Sequence, residues 1–344
     1  MTRRQLLAAL APRPSLREQW RLILGKLEPA PTDLRWFANP LTERILSTSD
    51  AGPYLRHHVE LPLEIDFFQP GLLLVPKQPH PRRAAVICWS STSPDWRKPE
   101  DWWGAWLASH GFTVFCSWSH IRHYRDNTNY SNGVSEKVYA RFGRWAALSR
   151  MVWDVRQQAR WLARRHHVHP RRIGFIGSSL SAKTALYVAP FAPEINAVVS
   201  IDPHVPLWDG GTNYLAPWYL DADRVFPDIP TPERTVRSLL HGHDHDELLT
   251  LSTPKPLLII GGNDKSHSDG PSTLPLLQKA ARPPHHIHRR KNRHTPSHPE
   301  KEAHRPPNKS RTLHTQRQPP HRRPLPPPPP PNPRPPPPPV PPPQ

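Results

Sequence analysis

The stretch Ile176–Leu186, IGSSLSAKTAL, places several chemically capable residues within one short run. Two chemistries compete for it. Gly177 to Thr184 is one glycine short of a phosphate-binding loop, G-x-x-x-x-G-K-[ST], in which backbone N–H groups wrap a nucleotide phosphate. Gly177-Ser178-Ser179-Leu180-Ser181 is close to a nucleophile elbow, G-x-S-x-G, with a small residue replacing the last glycine. The phosphate loop needs its second glycine for close approach of the backbone, and Ala182 stands there with a crowding Cβ. Asp202 could hold a magnesium ion, but it comes only 18 residues after Thr184. Strands of the same sheet also precede the motif, whereas a phosphate loop usually follows the first strand. The elbow reading explains more: a serine on a tight strand-to-helix turn is thrown forward above the sheet, and its neighbours at −2 and +2 must be small. Ser179 is then the nucleophile, set against the N-terminal dipole of the helix that follows. A plain alternative is that Ser179, Ser178 or Ser181 only caps that helix.

The elements that would hold Ser179 in place alternate along the chain. AAVICWS (84–90), FTVFCSW (112–118), RIGFIG (172–177), INAVVSID (195–202) and KPLLIIGGND (255–264) read as short apolar strands. Helical patterns separate them at 99–111, about 142–165 and 181–189; the second carries Trp145, Leu148, Val152, Val155, Ala159 and Leu162 at helical spacing. Alternation of this kind builds a mostly parallel sheet flanked by helices, an α/β fold. Tyr54–Val75 reads as an antiparallel hairpin at its edge, and SLREQWRLILGKL (15–27) as an amphipathic helix in an N-terminal segment, 1–50. Residues 203–250 interrupt the rhythm and read as a short cap insertion, in which Trp208, Tyr214 and Trp218 are pocket candidates. No internal repeat is evident.

IGSSLSAKTALYVAPFAPEINAVVSID resembles the elbow region of the α/β-hydrolase superfamily, particularly its dienelactone-hydrolase-like and acetyl-xylan-esterase-like bacterial branch. The resemblance spans about Leu16–Ala281. It implies the α/β-hydrolase fold over residues 51–281, a Ser–acid–His triad, an oxyanion hole, and a serine hydrolase acting on a carboxylic ester through an acyl-serine intermediate, with no cofactor and no metal. Carried across, Ser179 matches the nucleophile and the Leu180 N–H one oxyanion donor. The loop Trp89-Ser90-Ser91-Thr92 replaces the family's His-Gly, so the second backbone donor is Ser90 or Ser91. The acid follows LLIIGG: Asp264, with Asp269 and Asp202 as alternatives. The histidine should lie some thirty residues further on; residues 282–293 hold no strand pattern, His294 is thirty residues past Asp264, and His298 is next.

Beyond Arg282 the chain is another material. Residues 282–344 contain 24 of the 50 prolines, 8 of the 22 histidines and 13 Lys/Arg against two acids, +11 of the formal +18. Such a segment buries too little apolar surface to offset its ordering entropy, so a disordered, partly polyproline II tail is expected. It could serve as a polybasic arm for nucleic acid or an anionic surface, or as a ligand for a proline-reading domain. The abrupt switch at Arg282 is also what a shifted frame in GC-rich DNA encodes. A rival reading follows: a catalytically impaired hydrolase-fold protein lacking its histidine, acting through this tail.

The remaining candidates have simpler readings. Cys88 and Cys116 sit in apolar runs and read as buried strand residues. His241-Gly-His243-Asp-His245-Asp reads as a solvated loop, not a metal site. Trp102, Trp103 and Trp106 read as core packing. His120, Arg122, His123 and Arg125 follow a strand's C-terminal end, where active sites of open α/β sheets gather. No apolar run is long enough to span a membrane. Thr2-Arg3-Arg4-Gln5-Leu6-Leu7 resembles a twin-arginine export signal, but its apolar stretch stops at Pro12, which favours a cytoplasmic protein.

Overall fold

The computed structural model describes residues 14–37, 41–90, 95–119, 140–143, 145–203, 242–261, 278–280 and 288–290. All of them fall within the first of two units of the chain, Met1–His294. The second unit, Thr295–Gln344, lies outside the described residues, as do the export-like N-terminus, most of the expected cap and the loop carrying His120–Arg125.

Nine strands form one sheet among the described residues: β1 Arg44–Asp50, β2 Tyr54–Glu64, β3 Phe67–Pro76, β4 Ala85–Trp89, β5 Thr113–Ser117, β6 Ile173–Ser178, β7 Ala197–Ile201, β8 Leu257–Ile260 and β9 His288–Arg290. Their spatial order is β1-β2-β3-β5-β4-β6-β7-β8-β9. The first three are antiparallel, β3 pairs antiparallel with β5, and from β5 to β9 every pairing is parallel. The expected hairpin is β2–β3, and the five apolar runs are β4 to β8. Two strands escaped the sequence pattern. β1 is exposed along its whole length, so no alternation marks it. β9 lies within residues 282–293, where no strand was expected; a parallel edge strand needs only backbone groups, and Leu258↔His288 through Ile260↔Arg290 supply them.

The helices that bear on the sheet and site are α1 Leu16–Leu24, α2 Ala105–Ser109 continuing a π-helical turn at Glu100–Gly104, α3 Ala147–Ala163, α4 Leu180–Phe191 and α5 His245–Leu251. α1 begins in a capping box: Ser15 Oγ accepts from the Glu18 N–H, and the Glu18 carboxylate accepts from the Ser15 N–H. Its apolar side, Trp20, Ile23 and Leu24, enters the main core, and Trp20 Nε1–H donates to Glu247 of α5 at 2.8 Å. α1 is therefore packed onto the main core of the sheet.

Strand alternation divides the core in two. Leu73, Ile87, Trp89, Phe115 and Phe175 face α3 and α4; Leu72, Leu74, Val86, Cys88, Val114 and Cys116 face α2. Cys88 and Cys116 are neighbours across β4 and β5, both buried and both free thiols. Two expectations are corrected here. Trp102 and Trp106 are 43% and 63% exposed, because Gly104 and Ala108 form the α2 face that meets the sheet. Gly104 leaves no room for anything larger: a Cβ would stand 2.5 Å from Cys116 Sγ. The HGHDHD run is not a wet loop either: Asp244 caps α5, and His245 and Asp246 are buried.

His245 packs edge-on to Tyr187 at 6.0 Å with its Nδ1 lacking a hydrogen-bond partner. Burial first, and the nearby Lys183 charge second, push its pKa down to about 3. The unfolded chain, with an ordinary imidazole near 6.5, thus binds the proton that the native state refuses. Stability contributed by neutral His245 is complete above about pH 6.5 and is lost as pH falls toward 3. Urea unfolding should show the wild type losing on the order of 2 kcal/mol more than His245→Leu between pH 7 and pH 4.5. Parallel pH profiles for the two proteins would contradict this account of the site.

Candidate active site

β6 ends and α4 begins with no loop between them, and Ser179 occupies the junction. Its backbone lies at φ 51°, ψ −110°, a region that non-glycine residues occupy only under strain. The turn is pinned on both sides: the Ser179 N–H donates to Ile201 O of β7 at 2.9 Å, and its carbonyl accepts the Lys183 N–H at 3.0 Å. Gly177 is required by space. A Cβ there would lie 2.1 Å from Ser181 O and 2.4 Å from its carbonyl carbon.

Ser179 stands at the N-cap position yet makes no side-chain capping bond, which removes the simple capping role. Leu180 is the first residue of α4, so its N–H has no acceptor within the helix. Ser181, the departure from G-x-S-x-G, is fully buried and donates through Oγ to Ser90 O at 2.6 Å. The hydroxyl that replaces a glycine thus ties the elbow to the loop after β4. The phosphate-loop reading has no footing in this geometry. Lys183 is 3% exposed and sits inside α4, which follows the strand directly.

One oxyanion candidate is corrected. The Ser90 N–H donates to Ser117 O at 2.9 Å, prolonging the β4–β5 ladder by one residue, and is not free for a substrate. Ser90 Oγ is buried without a partner. Ser91 lies outside the described residues. Below this loop a chain of buried amides fixes the strand ends. Trp89 Nε1–H donates to Gln158 at 2.9 Å, Gln158 Nε2–H to Gln69 at 2.8 Å, and Gln69 Nε2–H to Ser117 Oγ at 3.0 Å. The network is invisible in the sequence, because residues 69, 89, 117 and 158 are brought together only by the fold.

Of the acid candidates, Asp202 is the described one. It follows β7 directly, beside the carbonyl that holds Ser179; its φ is 55°, and its N–H donates to Ile260 O at 2.7 Å. Asp264, Asp269, His294 and His298 lie outside the described residues. By chain position Asp264 comes four residues after β8 and His294 four residues after β9. Ser179, Asp202 and the last residues of β8 and β9 therefore belong to the C-terminal edge of the parallel strands, where open α/β sheets carry their ligands. Among the described residues no cluster of His, Cys, Asp and Glu could hold a metal ion.

The strand order, with its single β5/β4 inversion, and a strained serine between β6 and α4 are those of the α/β-hydrolase fold. The likeness to solved structures agrees. The chain superposes on a glucuronoyl esterase from Solibacter usitatus with a TM-score of 0.55 and 15% identity, covering 79% of each chain. It superposes on a CE15 glucuronoyl esterase from Teredinibacter turnerae T7901 with a TM-score of 0.52 and 18% identity, covering 78% of this chain and 71% of that one. The family model for the BAAT / acyl-CoA thioester hydrolase C terminal matches residues 156–237, the span holding the elbow. No curated protein matches the chain by sequence. The α/β-hydrolase resemblance carried by the elbow residues thus holds for the chain's fold.

Gly177→Ala should force the elbow apart, with a stability loss of about 2–4 kcal/mol in chemical unfolding. Ser181→Ala should cost less, about 1–2 kcal/mol, by leaving the buried Ser90 carbonyl unpaired. A Gly177→Ala protein as stable as wild type would mean that the turn is not this tight.

Proposed function

We propose that the protein hydrolyses a carboxylic ester through an acyl-Ser179 intermediate. The observation that carries this reading is the strained, non-capping Ser179 at the head of α4. In the reaction, Ser179 Oγ attacks the ester carbonyl carbon and a histidine takes the hydroxyl proton. The oxyanion forms against the Leu180 N–H and the Ser91 N–H. Collapse breaks the ester C–O bond, and the histidine returns its proton to the departing alcohol. A water molecule, deprotonated by the same histidine, then attacks the acyl carbon; the C–Oγ bond to Ser179 breaks, the acid leaves, and the histidine returns the proton to Ser179 Oγ. His294 is the base in this reading, and Asp264 holds it; Asp202 is the second acid, favoured by its left-handed backbone next to the elbow. The chemistry as written uses no cofactor or metal. The glucuronoyl esterases on which the chain superposes make an ester of glucuronic acid the first substrate to try.

A fluorophosphonate probe reacts with an activated serine and reads the site without knowledge of the substrate. Label mapped to Ser179, absent in Ser179→Ala, is the expected result, together with a loss of ester hydrolysis of roughly 10³-fold or more. His294→Ala should abolish labelling as well. Asp264→Asn and Asp202→Asn, compared side by side, identify the acid as the one whose loss lowers kcat by at least about 100-fold. Absence of label on the folded wild-type chain would reject the enzyme reading and favour a hydrolase scaffold that acts through its basic, proline-rich tail.

A further inference from the structure

The tetrapeptide His-Pro-Arg-Arg occurs twice, at 80–83 and at 169–172, one residue before β4 in the first case and directly before β6 in the second. The two strands, β4 and β6, are neighbours, with Ala85 paired to Ile173. The two turns also share a geometry. In each, the N–H of the first arginine, Arg82 or Arg171, donates to the histidine Nδ1 at 3.1 Å. The N–H of the second arginine, Arg83 or Arg172, donates to the histidine carbonyl at 2.7 Å and 2.9 Å. The turns are laced together: the His169 N–H donates to Arg83 O at 2.8 Å and the Ala85 N–H to Arg172 O at 2.9 Å. A sequence repeat too short to register as one is therefore a spatial pair.

Between the turns lies a cleft of about 430 Å³ at the N-terminal edge of the sheet. It is separated from Ser179 by the length of β6, roughly 20 Å at about 3.3 Å per strand residue. Its floor is apolar: Val86, Phe112 and Ile173, with space left by the small residues Ala85, Gly174 and Ala197. The His80 ring stacks on Phe112 at 5.9 Å and extends this wall. Arg82, Arg171 and Arg172 stand on its rim, all exposed. Among the described residues no carboxylate lines the cleft, and none pairs with Arg82, Arg83, Arg171 or Arg172. Guanidinium groups gathered without counter-charges repel one another, and an incoming anion relieves that repulsion while accepting bidentate hydrogen bonds. An apolar floor under a cationic rim selects a ligand with both parts.

We propose that this cleft binds an organic phosphate, its apolar or aromatic body lying on Val86, Phe112 and Ile173 and its phosphate held by Arg82, Arg171 and Arg172. The site is separate from the hydrolase centre and does not depend on Ser179. Calorimetric titration of the full chain with 1-naphthyl phosphate, inorganic phosphate and 1-naphthol tests it. The naphthyl phosphate should bind at least about tenfold more tightly than either fragment alone. The triple variant Arg82→Gln/Arg171→Gln/Arg172→Gln should lose at least about tenfold in affinity, and Ser179→Ala should lose none. Gly174→Val, whose Cβ would meet only ordinary contacts at 3.5–4.0 Å, should also weaken binding by filling the floor without changing charge. Equal affinity for inorganic and naphthyl phosphate, or affinity unchanged in the triple variant, would assign the binding to the basic tail and overturn the proposal. No binding at all would overturn it too.

Discussion

The carbonyl oxygen of Ser181 lies 2.1 Å from the point where a β-carbon on Gly177 would be. No side chain fits between strand and helix there, and the site depends on that contact. It brings α4 directly off the end of β6. It leaves Ser179 the only link between them, in a backbone conformation that a serine adopts under strain. The strain is held by neighbours on both sides, β7 through Ile201 O and α4 through Lys183 N. A backbone held in this way fixes the direction in which the Cα–Cβ bond of Ser179 leaves the turn.

The surroundings of the elbow are tied to it by buried hydrogen bonds more than by charge. Ser181 Oγ reaches the Ser90 carbonyl, Ser200 Oγ reaches the Ala182 carbonyl, and the Gln69–Gln158–Trp89 chain sits beneath the loop after β4. Each is a polar group in a dry interior, where an unmet partner costs more than a met one contributes. That asymmetry makes the geometry specific: the core accepts one arrangement of these strands and penalises a shifted one. Charged residues buried nearby follow the same rule. Arg150, almost fully buried in α3, is held by Glu64 at 2.9 Å and by Asp154, and its guanidinium lies 4.9 Å from the Phe37 ring centre.

The two edges of the parallel sheet carry different chemistry. At the C-terminal edge stand Ser179 and Asp202, at the mouths of β6 and β7. At the N-terminal edge stand the paired His-Pro-Arg-Arg turns at the feet of β4 and β6. β6 runs between them, its residues alternately facing the α3–α4 core and the α2 side.

Much of the fold was legible in the residues alone. Five apolar runs became five parallel strands, the helix at 142–165 buried the expected Leu148, Val152, Val155, Ala159 and Leu162, and the two cysteines lay inside the sheet. Periodicity reports a one-sided burial whenever one exists, so these elements declared themselves. The elbow did too, because small–Ser–small between a strand and a helix is a local requirement of sterics. What only the tertiary structure decided was anything that joins distant parts of the chain. β1 and β9 are edge strands formed by backbone pairing, which leaves no side-chain period. Trp102 and Trp106 face outward because Gly104 and Ala108 take the inner face of their helix. The Ser90 N–H is spent on Ser117, and only sheet register reveals that. His245 is buried because α5 packs on α4, although its sequence neighbours look wet. Composition and spacing determine which residues can do chemistry; the meeting of strands far apart in sequence determines which of their atoms are free to do it.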